Sequence, residues 1–96
     1  MATINSFEEL EVWKKARTLA KDVHELITSG SLATDYRLRD QMNGSSGSIM
    51  GNIAEGFERD GKAEFITFLA YSKGSAGELR SQFWRFRPKT YYAGEV

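Results

Sequence analysis

Three observations predict an all-α, up-and-down antiparallel helical bundle for this chain. Apolar residues recur at spacings of three and four through three long stretches, the period of a helix with one buried face. Polar, glycine-containing breaks separate those stretches, at Ser29-Gly30 and from Gly56 to Asp60. Strand-like alternation is nowhere evident in the 96 residues, a length that makes one domain with a real core and no second. Helices are expected at about 7–28, 35–55 and 61–86, with an irregular tail over 87–96, all within a single domain 1–96.

The first helix opens on Ser6 and Glu9, a capping-box pair in which the hydroxyl accepts from the Glu9 amide and the carboxylate reaches back. Glu8, Glu9 and Glu11 put negative charge where the helix dipole favours it. Leu10, Trp13, Ala16 or Arg17, Ala20, Val23 and Ile27 form the apolar stripe, with Lys14, Lys15, Lys21, Asp22 and Glu25 mostly off it. Gly30 suits a left-handed cap beyond its end.

The second stretch admits two readings. Over residues 41–59, QMNGSSGSIMGNIAEGFER, the density of glycine and serine reads as a flexible, ligand-cradling loop. Leu38, Met42, Ser45 or Ser46, Ile49 and Ile53 nevertheless keep helical spacing. Gly44-Ser45-Ser46-Gly47 is superficially similar to a phosphate-binding loop, yet the GxxxxGK[ST] spacing and a preceding strand are missing, and Lys62 lies well beyond the motif. The helix reading prevails. Gly44, Gly47 and Gly51 each cost about 0.5–1 kcal/mol relative to alanine, so tertiary contact must stabilise this helix, most simply by a neighbouring helix approaching closely over them. Thr34 or Asp35 is the expected cap, Gly56 the expected end, and Phe57 is expected to fold back on the core.

Asp60 is a suitable cap for the third helix. Phe65, Leu69, Ser72, Ala76, Leu79 and Phe83 step by four and three in a heptad-like seam, with Gly74, Ser75 and Gly77 thinning the surface. Pro88 restricts Arg87 and ends the helix near residue 86.

Composition removes several function classes. Thirteen basic and thirteen acidic side chains cancel, so attraction to nucleic acid would need local segregation of charge. Without cysteine there is no disulfide, thiolate nucleophile or cysteine-based zinc site, and a single histidine, His24, makes no histidine-rich metal site. No apolar run approaches the roughly 20 residues that span a bilayer, and the N-terminus lacks a secretory pattern. The expectation is a cytoplasmic protein with no cofactor, no bound metal, no membrane association and no small-molecule substrate.

Three blocks, FEELEVWKKA over residues 7–16, SIMGNIAEGFER over 48–59 and EFITFLAYSKGSAGELRSQ over 64–82, give the chain its resemblance to a known family. It resembles the four-helix-bundle family that includes the 23S rRNA intervening-sequence proteins, over about residues 6–85. NIAEG and the GS..EL..Q pattern are its most specific parts. The resemblance implies up-and-down bundles that assemble into cyclic homopentamers. It also extends to accessory proteins of diversity-generating retroelements, which engage nucleic acid and a reverse transcriptase. Family members continue into a fourth helix through an alanine-leucine-aspartate-glutamine type of turn, whereas this chain reads RFRPKTYYAGEV. A one-nucleotide shift can restore Phe-Asp-Gln at Phe86-Arg87-Pro88-Lys89, so a frameshifted or altered tail is the working hypothesis. Sequencing the locus tests it: an intact fourth-helix frame past the stop supports it, and none refutes it. A missing fourth helix would leave an apolar groove along the other three, and such patches are usually covered by a partner.

Few residues could carry chemistry. His24 has neither a reacting partner nor an orienting group evident in the sequence, so an ordinary surface or boundary histidine is expected. Asn52 and Glu55 share a helix face with Arg59 one turn on; a register-fixing ion pair to a neighbouring helix or subunit explains Glu55 better than a ligand site. One carboxylate without a Glu-x-x-His partner is no di-metal site. Arg80, Arg85, Arg87 and Lys89 have no acid between them and are interleaved with Phe83, Trp84 and Phe86, with Tyr91 and Tyr92 following. Such a pattern can neutralise phosphates and stack unpaired bases. Lys14, Lys15, Arg17 and Lys21 give helix one a second candidate surface for RNA or DNA. Trp13, Trp84, Gly44, Gly47, Gly51, Asn52 and Glu55 are the expected packing and assembly residues. The function expected is a non-enzymatic, self-associating scaffold, with an RNA- or DNA-binding accessory protein as the alternative.

Overall fold

The structure, a computed structural model, describes residues 3–86. Three α-helices run in sequence: α1 over Glu11–Ile27, α2 over Tyr36–Glu58 and α3 over Lys62–Phe86. Short 3-10 turns precede α1 at Phe7–Glu9 and α2 at Gly30–Thr34. The expected all-α bundle is therefore present, with no strand among the described residues. Ile49 meets Ser72, while Gln41 meets Arg85, so α2 and α3 run antiparallel.

The boundaries differ from expectation where local chemistry intervenes. Glu9 does reach back, its carboxylate accepting from the Ser6 and Asn5 amides at 3.1 Å each. That pair caps a single 3-10 turn, because Leu10 is extended (φ −72°, ψ 127°) and α1 starts only at Glu11. Phe7 then packs edge-on against Trp13, ring centroids 5.2 Å apart, which ties the turn to the helix. Gly30 has φ +61°, the left-handed conformation expected of it. Leu32, in the following turn, is fully buried and plugs the end of the core. Asp35 is the cap of α2, its carboxylate accepting from the Leu38 amide at 3.2 Å. At the start of α3 the carbonyl of Gly61 accepts from the Phe65 amide, so Gly61, with φ +113°, stands at the first cap position instead of Asp60.

Ala16, Val23 and Ile27 of α1, Leu32, Leu38, Met42, Ile49 and Ile53 of α2 and its approach, and Leu79 of α3 form the core. Leu10, Trp13, Leu69 and Phe83 pack partly buried against it. α2 is the central member: α1 packs on one side of it and α3 on another, while α1 and α3 barely touch.

Two expectations about glycine are overturned. Gly56 does not end α2; it is buried inside the helix, and a Cβ built on it would lie 2.6 Å from the Cβ of Phe68. Here the two helices approach so closely that only hydrogen fits. Gly44, Gly47 and Gly51, expected to admit a neighbouring helix, are exposed, and a Cβ on any of them meets nothing within 4 Å. The reason is angular. At about 100° per residue, these three fall on the side of α2 opposite Met42, Ile49 and Ile53. Serines do the close packing instead. The Ser72 hydroxyl donates to the Ile49 carbonyl at 2.7 Å and the Ser75 hydroxyl to Ser48 Oγ at 2.9 Å. A small side chain that carries its own donor lets helices come together without stranding a polar group.

Candidate assembly surface

A concave feature opens between α1 and α3. Val12, Ala16 and Leu19 form one wall, Leu69, Ser72 and Ala76 the other, and Ile49 and Ile53 of α2 the floor. Its volume is about 340 Å³. Alanine and serine leave the middle of each wall low, and the missing bulk makes the hollow. Val12 and Leu19 remain 48% and 37% exposed on its rim. Among the described residues the groove is lined by all three helices.

Its charge is one-sided. Lys15 stands on the α1 wall and Lys73 on the α3 wall, and neither is ion-paired with another described residue. A hollow with apolar walls and cations on both rims favours an apolar occupant that carries carboxylates beside it. No nucleophile or general base with an orienting partner lines it, and no cluster of three metal-ligating side chains occurs among the described residues.

The residues singled out from the sequence scatter instead of converging. Arg80 and Arg85 are exposed near the end of α3, Arg85 donating to Gln41 Oε1 at 3.2 Å. Arg87, Lys89, Tyr91 and Tyr92 lie outside the described residues, as does the rest of the segment 87–96 to which the frameshift hypothesis refers. Lys14 and Arg17 are exposed on α1 away from the groove, Lys14 with Glu11 at 3.7 Å. Trp13 is part of this chain's own packing; Trp84 is half exposed on α3. His24 is exposed and borders a separate shallow pocket with Arg39, Asp40 and Asn43.

Asn52 is satisfied within α2, donating to the Ser48 carbonyl and Oγ at 2.9 and 3.0 Å. Glu55 accepts from Arg59 at 2.7 Å, and Arg59 also lies 3.9 Å from Glu64 of α3 and over the Phe68 ring at 5.0 Å. The Glu55 hydrogen bond is the main cause raising the Arg59 pKa above its ordinary value; the nearby Glu55 and Glu64 charges add to this, against the opposing effect of burial. The arginine thus clamps the α2–α3 turn within one chain, which accounts for Glu55 and Arg59 in the NIAEGFER block. Sequence reading missed Val12, Leu19, Lys15 and Lys73 as members of one surface. Their signal was present: Val12, Lys15 and Leu19 step by three and four beside the main stripe of α1.

No described helix is long and apolar enough to cross a membrane. No curated protein and no solved structure gives a significant match to the chain. A family model for the 23S rRNA-intervening sequence protein matches residues 8–95. That span, together with the three-helix bundle and the blocks described above, places this chain in the 23S rRNA-intervening sequence protein family.

Proposed function

We propose that the protein is a non-enzymatic helical-bundle scaffold that works by associating with copies of itself. One observation carries this reading: the open apolar groove between α1 and α3, whose floor and walls include Ile49, Ile53, Leu69, Val12 and Leu19. Covering such a surface releases about 25 cal/mol per Å² of apolar area, and a second copy is present wherever the first is made. A closed ring is the assembly that the family resemblance leads one to expect. Light scattering on the purified chain tests the reading. A mass that is a multiple of the monomer supports it, and a monomer across micromolar concentrations refutes it.

A second reading, an RNA- or DNA-binding accessory protein, draws support from the exposed Lys14, Arg17 and Lys21 on one side of α1 and from Arg80 and Arg85. In an oligomer these cations would repeat around the assembly. Copurifying nucleic acid, seen in the 260/280 nm ratio and released by salt, supports this reading because phosphate contacts weaken steeply with salt. Unchanged affinity after joint substitution of Arg85, Arg87 and Lys89 would remove that segment from the interface.

A further inference from the structure

Helix α3 carries two unlike flanks. On the groove side, Ile66, Lys73 and Arg80 repeat every seven residues beside Leu69 and Ala76. On the other side Glu64, Tyr71 and Glu78 repeat every seven. Tyr71 and Lys73 are two residues apart, or about 200° around the helix at 100° per residue, so one flank is apolar and basic and the other aromatic and acidic.

Tyr71 stands proud of its flank. It is 56% exposed, is held edge-on by Phe68 with centroids 5.3 Å apart, and has Thr67 and Gly74 as its small neighbours one turn away on either side. The groove matches it. An apolar cavity of roughly 150 Å³ admits benzene, so about 340 Å³ accommodates a phenol ring. Lys15 and Lys73 on the two rims suit the phenol oxygen and the flanking carboxylates of Glu78, which is exposed, and Glu64, which is half exposed and 3.9 Å from Arg59 of its own chain. A groove-to-groove contact about a two-fold axis would set lysine-rimmed surfaces against each other, which like charge opposes.

We infer that the groove of one copy receives Tyr71 of the next, with Glu64 and Glu78 set against Lys15 and Lys73. This rests on the self-association reading and specifies its interface. The contact joins two different surfaces, so each copy still offers a free Tyr71 and a free groove, and repetition closes a ring or extends a fibre.

The test uses the full chain and two variants. Tyr71→Ala removes the protruding ring but keeps the groove; Ala76→Phe fills the groove but keeps the ring. Thermal melts by circular dichroism establish that both fold, and Lys73→Glu replaces Ala76→Phe if that variant does not. The expected result is that each variant alone sediments as a monomer, with association weakened about tenfold or more, whereas an equimolar mixture forms a one-to-one heterodimer. Tyr71→Ala that assembles like the parent would overturn the interface while leaving self-association intact. Variants that are monomeric alone and do not pair on mixing would also overturn it. A parent chain that is itself monomeric would remove both readings, and the groove would then await a helix from another protein.

Discussion

The two sides of α2 are built from the same small residues and end differently. Toward α3, Gly56, Ser72 and Ser75 let the backbones close until a single added carbon at Gly56 would lie 2.6 Å from Phe68. Between α1 and α3, Ala16 and Ala76 are as small, yet the two helices stay apart and these residues line a hollow. Small side chains do not create a close contact; they permit one. What decides is whether the chain supplies an element to occupy the space, and on the α1–α3 side the described residues supply none.

Substitutions at matched positions test this contrast, the most disruptive first. Gly56→Leu places a branched side chain against Phe68 and Phe65, and should lower unfolding free energy by about 3 kcal/mol through overpacking. The midpoint of a urea titration reads the change, and an unaltered midpoint would mean that α2 and α3 are further apart than described. Ser72→Ala removes the donor to the Ile49 carbonyl and should cost about 1 kcal/mol in the same titration; a stabilised variant would show that the bond contributes nothing net. Gly47→Ala should raise stability by about 0.5–1 kcal/mol, since its Cβ meets open space. A loss there would place another copy's backbone on that face. Ala76→Phe, toward the open side, should leave the stability of the dissociated chain within about 0.5 kcal/mol. A loss of several kcal/mol, measured at concentrations too low for association, would show the hollow already filled by this chain.

Most of the helical plan was legible because periodicity survives the glycines: Leu38, Met42, Ile49 and Ile53 mark a buried stripe whatever lies between them. The role of each glycine was legible only by counting angles. Gly56 follows Ile49 by seven and Ile53 by three, which puts it on the stripe. Gly44, Gly47 and Gly51 fall on the far side, and treating all of them as one class of spacer hid the difference. Leu32 was missed because one leucine in a polar connection has no periodicity to announce it. The break at Leu10 was missed because a capping box signals a helical turn without fixing how far that turn continues. The groove was not legible because only the pairing of α1 and α3 each with α2 locates its walls.

That pairing has a consequence for how the molecule comes apart. α2 and α3 are neighbours in sequence, share a tight turn clamped by Arg59, and interlock through Ser48, Ser72 and Ser75. α1 is attached through α2 and the short connections and has almost no hold on α3. The chain is thus arranged as an α2–α3 hairpin with α1 docked on α2. Amide protons of α1 should exchange with solvent through an opening that leaves those of the hairpin protected. Because the hairpin's contacts are close in sequence, it should also be the first part to form, with α1 docking afterwards.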